Sequence, residues 1–228
     1  GDFARGLRAV DKLEALGPLR SSSVLLTTCY VRAASGDCAS ALRAIDEAES
    51  IDLPDDLMAA VEREKQRVLV YIYMRDYQAA VEASGRAVDL ARSAGVRYAT
   101  AVALHNLGDA ARRLGDLPRA YAALSESRDI CEAGGQDRLA AQNRMHLAYL
   151  DGMSGVPGSP ALLHDLVRYA DSRGYFLDAL EGQVLLGALL KHQGDPGARR
   201  ELEQALQKAI ELENQLVAEE AREALARM

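Results

Sequence analysis

Tryptophan is absent and phenylalanine occurs only twice, although 49% of the 228 residues are hydrophobic. Ala and Leu dominate that apolar set, and residues of this kind favour helices over strands. An all-β sandwich is therefore nearly excluded. An excess of cations is missing too: 27 Lys and Arg stand against 34 Asp and Glu, for a formal charge of −7. A surface that neutralises phosphates needs the opposite balance, so no nucleic-acid partner is expected. Long apolar runs are lacking, since stretches such as Val68 to Met74 fall far short of the ~20 residues that cross a bilayer. No membrane association is expected. The three cysteines, Cys29, Cys38 and Cys131, form no CxxC pair, and an odd count leaves at least one thiol free, which fits a reducing, cytoplasmic compartment. The chain opens Gly-Asp-Phe, with no initiator Met and no basic start followed by an apolar run, as expected of a piece excised from a longer protein. What remains, with 27% charged residues, is the composition of a soluble protein that buries a core.

What is present is a period. Gly-Asp occurs at Gly1-Asp2, Gly36-Asp37, Gly115-Asp116 and Gly194-Asp195, with Arg75-Asp76 and, more loosely, Gly155 in the same slot. The intervals are 35, 39, 40, 40 and 39 residues, hard to produce by chance from 18 glycines. Gly can take the left-handed conformation that closes one helix, and Asp can cap the next, so each dipeptide reads as a helix–helix turn. In the clearest copy, Leu104, Leu107, Ala111 and Leu114 recur at helical spacing before the turn, and Leu117, Ala120, Tyr121 and Leu124 after it. Five positions after the turn residue the first four copies carry Gly6, Ala41, Ala80 and Ala120, which lets paired helices approach closely. Pro160 and Arg199 stand at that place in the last two copies.

The chain thus reads as a helix over 2–16, then pairs 20–35 with 38–50, 56–74 with 77–93, 97–114 with 117–133, 136–153 with 159–173 and 176–193 with 197–213, and a last helix over 215–227. Breakers fall between the pairs: Gly17-Pro18, Leu53-Pro54 before Asp55-Asp56, Gly95, Gly134-Gly135, Gly174 and Asn214. No stretch is long enough for an interdomain linker, so one domain over 1–228 is expected, built from a partial repeat (1–17), hairpins at 18–52, 53–95, 96–134, 135–174 and 175–213, and a capping helix (214–228). Without a cap at the other end, the first helix should expose Leu7, Val10 and Leu13, a surface through which copies of the chain could pair as a homodimer.

Leu107-Gly108, Ala120 and Leu124, and Leu186-Gly187 in the last pair, resemble the motif of the tetratricopeptide repeat family. The resemblance extends over the whole chain, with three departures: no family Trp, no terminal Pro, and a period near 40 where about 34 is usual. Arg67 also occupies a Leu slot. The resemblance implies an all-α, right-handed superhelical solenoid of antiparallel helix hairpins, about 12 helices in all. Period and helix length are similar to the repeat arrays of large bacterial signalling proteins, which implies a regulatory or docking region.

Chemistry is harder to find. Gly155 to Ser159 lacks the Lys of a phosphate-binding loop. His105, His146, His164 and His192 have no zinc-ligand spacing, although His105 and His146 lie close to one period apart and could share a site. Asp55-Asp56 and Glu219-Glu220 sit where helix N-termini or solvent would place them anyway, and no group of residues has interlocking catalytic roles. No enzyme activity, metal or cofactor is expected.

In tetratricopeptide proteins the first helix of each pair lines a concave groove. The family's groove positions, carried onto this sequence, are Tyr30, Gln66, Tyr73, His105, Asn106, Asp109, Arg112, Arg113, Gln142, His146, Tyr149, Lys191 and His192. Asn106, beside Leu107-Gly108, stands where peptide-binding members hold a ligand's backbone through a side-chain amide. Arg112 and Arg113 would add a cationic wall for acidic groups. The resemblance therefore implies a scaffold that binds a protein or peptide segment. The alternative is a sensing module that closes on a small effector or signalling peptide and controls an attached output domain. A third reading folds the array back on its own parent chain.

Overall fold

The computed structural model describes residues 3–15 and 21–228. Within them lie twelve helices: α1 Phe3–Ala15, α2 Ser22–Ala34, α3 Cys38–Ile51, α4 Leu57–Met74, α5 Tyr77–Ser93, α6 Arg97–Leu114, α7 Leu117–Gly134, α8 Asp137–Met153, α9 Ser159–Ser172, α10 Phe176–His192, α11 Gly197–Glu211 and α12 Gln215–Ala226. No strand occurs among the described residues. The fold is all-α, built from hairpins, and no expected helix bound is displaced by more than two residues. The Gly17-Pro18 breaker lies outside the described residues.

Turn chemistry explains why the helices stop where they do. Gly36, Gly115 and Gly194 have φ of 88°, 90° and 72°, the left-handed region that closes a helix. In each case the next residue, an Asp, donates its N–H back to a carbonyl of the helix just ended: Asp37 to Arg32, Asp116 to Ala111 and Asp195 to Leu190, all at 2.9 Å. Arg75 adopts the same conformation at φ 60° without being glycine, and Asp76 makes the same bond to Tyr71. The Asp side chains then cap the following helices, Asp37 accepting from the Ser40 N–H at 3.1 Å and Asp76 from Ala79 at 3.1 Å. Asp56, weighed above as an acid, does the same for α4 through the Ala59 N–H at 2.9 Å.

The last two turns differ, and they shift the register. Asp195 accepts from the N–H only two residues on, Gly197 at 2.7 Å, which winds α11 one residue early. Ala198, not Arg199, is therefore the fully buried small residue, and Arg199 is exposed. In the fifth copy a second left-handed glycine, Gly158 at φ 81°, makes Ser159 the buried residue in place of Pro160. With that correction one rule holds throughout. Ala41, Ala80, Ala120, Ser159 and Ala198 are buried, and four residues later so are Ile45, Ser84, Leu124, Leu163 and Leu202. A small residue admits the neighbouring helix and the following side chain fills the layer. Only Ser84 fills it with a hydroxyl, and its Oγ has no hydrogen-bond partner.

By contact density the chain divides into two compact units, residues 2–123 and 124–228, the division falling inside α7. In the first, α2 packs on α3 and α4 on α5, while α2 touches α4 and α4 touches α6. Leu25, Leu26, Cys29, Ala41, Ile45, Ala48 and Val70 form one core there. Val10 of α1 is buried rather than exposed, because α1 lies against α2, whereas Leu13 remains 41% exposed. The Leu7 side chain lies outside what the structure describes. In the second unit α8 packs on α9 and α10 on α11, with α8 against α10. There α12 lies across α10 and α11, so that Val217, Ala218 and Ala221 close a core with Leu180, Val184, Ala205 and Ala209.

Arg67 shows what replaces a missing leucine. Its guanidinium reaches Asp46 at 3.2 Å and Glu49 at 2.9 Å on α3, and also Glu64 one turn back on α4. Glu64 is buried and takes a second cation, Arg86 of α5, at 2.8 Å. Arg63, also buried, pairs with Asp52. Three helices are thus joined by charge where the repeat usually joins them by an apolar contact.

Candidate functional site

In the unit formed by residues 2–123, the candidate residues come from three first helices. Tyr30 on α2 and Tyr73 on α4 meet edge to face, with ring centroids 6.5 Å apart and an interplanar angle of 69°. Tyr30 keeps 39% of its surface exposed while Tyr73 is half-buried against the core. Gln66 on α4 is half-buried, and its Oε1 has lost water without finding a donor. Asn106 on α6 is half-buried, and its amide has no protein partner among the described residues. These are two carboxamides whose hydrogen-bonding capacity is not consumed by the fold. His105, the residue before Asn106, is also half-buried.

The expected cationic wall is not a free one. Arg112 donates to Asp109 Oδ1 at 2.6 Å and Arg113 to Asp109 Oδ2 at 2.8 Å. All three side chains are largely buried, at 12%, 8% and 12% exposure for Arg112, Arg113 and Asp109. The i, i+3 and i, i+4 spacing behind this cluster was available in the sequence. Asp109 thus holds both guanidinium groups in place.

In the unit formed by residues 124–228 most of the candidates are engaged. Gln142 donates to Asp178 Oδ1 at 3.0 Å, and the same buried carboxylate accepts two bonds from Arg138, at 2.7 and 2.9 Å. Arg138 also stacks over the Tyr175 ring at 5.7 Å. This network ties α8 to α10. His146 is only 1% exposed and lies 3.6 Å from Glu181 through Nε2, so it is a core imidazole of that unit. Tyr149 packs against the core between α8, α9 and α10. Lys191 donates to the Ala224 carbonyl at 2.6 Å, tying α10 to the end of α12. His192 is exposed.

The cysteines are poor nucleophiles for a stated reason. Cys29 and Cys131 are fully buried and Cys38 is half-buried, all with free thiols. Burial pushes the Cys29 thiol up to about 11 and raises Cys38 and Cys131 as well. The reactive thiolate is therefore scarcer than in a free cysteine.

The motif glycine of α10 completes the picture. A Cβ at Gly187 would lie 2.6 Å from the Leu202 Cγ, a distance no real contact tolerates, so Leu186-Gly187 exists to let α11 approach. A family model described as tetratricopeptide repeat matches residues 57–133, which run from α4 to α7. Residues 57–133 thus match the tetratricopeptide repeat family. Solved repeat structures are similar in fold across more of its length. A Rap protein complexed with competence and sporulation factor has a TM-score of 0.67 at 17% identity, covering 99% of this chain and 67% of that one. A signal transduction ATPase with numerous domains and a tetratricopeptide repeat sensor, from Pyrococcus horikoshii, has a TM-score of 0.63 at 12% identity. The match covers 86% of this chain but only 31% of that protein. The apo form of RapI gives 0.64 at 13% identity, over 99% and 92% of the two chains. No curated protein sequence matches the chain. No helix among the described residues is long and apolar enough to cross a membrane.

Within the tetratricopeptide register, Gln66 and Asn106 are the same position. Each stands nine residues before its turn residue, Arg75 or Gly115, where the next repeats have His146 and Leu185. The repeat register read from the sequence already places both at one position.

Proposed function

We propose that the chain is a non-enzymatic scaffold that binds an extended protein or peptide segment along α2, α4 and α6. The observation that carries this is the pair Gln66 and Asn106: equivalent carboxamides on adjacent, touching helices, neither satisfied by the protein itself. A carboxamide donates and accepts at once, which suits a peptide group, and the buried Gln66 Oε1 gains a hydrogen bond when a ligand N–H arrives. Tyr30 and Tyr73 offer an aromatic surface on the neighbouring stretch of the same unit, a kind of group enriched where proteins meet. In this reading Asp109, Arg112 and Arg113 stiffen α6, and Gln142, His146, Tyr149 and Lys191 stiffen the scaffold of their own unit.

The likeness to a Rap protein complexed with a factor and to a repeat sensor within a signalling ATPase supports a role in a cytoplasmic signalling or regulatory protein. The same likeness favours, as the second reading, a sensor that responds to a small effector or signalling peptide. The test is selection of a displayed peptide library on the 228-residue chain, followed by titration of the enriched peptides. Peptides that bind the parent and lose about tenfold or more on Asn106→Ala and on Gln66→Ala support the reading, since each substitution removes hydrogen bonds to a desolvated ligand group. Equal binding to parent and variants, or no enrichment at all, refutes it.

A further inference from the structure

A cleft lies within the unit formed by residues 124–228. It has a volume of about 350 Å³ and is walled by α9 and α11, with α10 between them. That volume is within the range of small-molecule sites. Its α10 side chains are Gln183 and Leu186, both buried, which sit on a different face of the helix from Lys191 and His192.

Charge makes the cleft unusual for this chain. Arg168, Arg200 and Lys208 line it against Asp171 and Glu201, a net charge of +1 with His164 neutral, in a protein whose total is −7. Its ion pairs are unevenly distributed. Lys208 faces Asp171 at 3.7 Å and Arg200 reaches Glu201 at 3.0 Å. Glu201, 8% exposed, also accepts from Gln183 at 3.4 Å, and Gln183 donates to Gln204 at 3.2 Å. The buried floor is thus internally satisfied. Arg168, on the opposite wall, has no carboxylate partner among the described residues and is exposed to the cleft. Arg200 has its side chain 72% exposed and retains donors beyond the one Glu201 accepts.

We propose that this cleft binds a small organic anion carrying phosphate or carboxylate groups, with Arg168 of α9 and Arg200 of α11 donating to it from opposite sides. Guanidinium groups bind such anions through paired, charge-assisted hydrogen bonds. The bound anion ties two second helices of consecutive hairpins together across α10, and so stiffens that unit. The site is independent of the proposed peptide surface and its failure leaves that reading untouched.

The experiment titrates pyrophosphate, and separately citrate, into the 228-residue chain at constant ionic strength, followed by amide chemical shifts and calorimetry. The expected result is saturation at one site, with half-saturation on the order of 1 mM or below, shifts concentrated on α9 and α11, and about tenfold weaker binding in Arg168→Gln and Arg200→Gln. Both positions are exposed, so the variants should keep the parent's circular dichroism. The Arg144→Gln control, an exposed arginine outside the cleft that pairs with Glu132 at 2.7 Å, should bind as the parent does. Preference for pyrophosphate or for citrate assigns the ligand to phosphates or to carboxylates. A response that rises linearly with either anion, shifts confined to other helices, or unchanged binding in both arginine variants overturns the proposal.

Discussion

Arg67→Ala tests whether charge has replaced leucine as the bond between α3, α4 and α5. The three carboxylates it touches are not equivalent. Asp46 and Glu49 are 72% and 54% exposed, so water takes over when the guanidinium leaves, and each contact contributes about 0–1 kcal/mol. Glu64 is only 9% exposed and keeps one partner, Arg86, itself 53% exposed. Removing one of its two charged donors should cost about 1.5–3 kcal/mol, because a buried carboxylate is left less well satisfied. Loss of the packed methylene stem adds to this, and the whole effect should be about 2–4 kcal/mol. Urea unfolding followed by far-ultraviolet circular dichroism gives the size. Hydrogen exchange gives the place, since accelerated exchange should centre on α3, α4 and α5 and leave α10 to α12 unchanged. Glu64→Gln in the Arg67→Ala background should add less than it does alone, the two sharing one interaction. A loss below about 0.5 kcal/mol, the size of an ordinary surface substitution, would refute the reasoning and reduce the network to surface decoration.

Ser84→Ala should stabilise the protein by about 1 kcal/mol, because it removes a fully buried hydroxyl without a partner and leaves the packing of α5 otherwise intact; a lower urea midpoint would contradict this. Gly187→Ala should destabilise it by about 1–2 kcal/mol, the overlap with the immobile Leu202 outweighing the helix propensity gained, as read from the shift in thermal midpoint. Stability should also fall between pH 9.0 and about 11 through Cys29. Its folded-state value is raised, so the stabilisation is complete below the unfolded value and is lost as pH climbs through the folded one; Cys29→Ala should lack that component of the pH profile.

How much of this was legible in the sequence depends on whether the cause was local. The turns were: Gly36-Asp37 and Gly115-Asp116 state the closing conformation and the cap in adjacent letters, and even Arg75-Asp76 keeps the cap after the glycine is gone. The misplaced small residues, Pro160 and Arg199, came from assuming one turn geometry throughout. Asp195 breaks it by capping two residues on instead of three, and the Pro196-Gly197 that follows it was the visible sign. Long-range partners were not legible. Nothing near Arg67 announces Asp46 and Glu49, some twenty residues earlier in the chain, and nothing near Lys191 points to the Ala224 carbonyl. The cleft between α9 and α11 is likewise a product of helix packing, which no short pattern encodes.

The distribution of unsatisfied groups argues for what the repeat surface reads. Along the first helices most charged groups are already engaged: Arg112 and Arg113 converge on Asp109, Arg138 closes on Asp178 beside Gln142, and Lys191 donates to the Ala224 carbonyl. Such groups fix the spacing of helices, and breaking them for a ligand would leave a buried charge behind. Gln66 and Asn106, by contrast, are neutral carboxamides that the fold leaves open. A surface of that kind gains little from a ligand's net charge and much from the regular N–H and C=O of an extended chain. On the proposed reading, then, affinity comes from the backbone, and selectivity falls to what packs on Tyr30 and Tyr73. Raising the salt concentration from 0.05 to about 0.5 M, which shortens the screening length severalfold, should leave the affinity of enriched peptides nearly unchanged. A steep loss of binding with salt would instead place the ligand contacts on the arginines and turn the argument around.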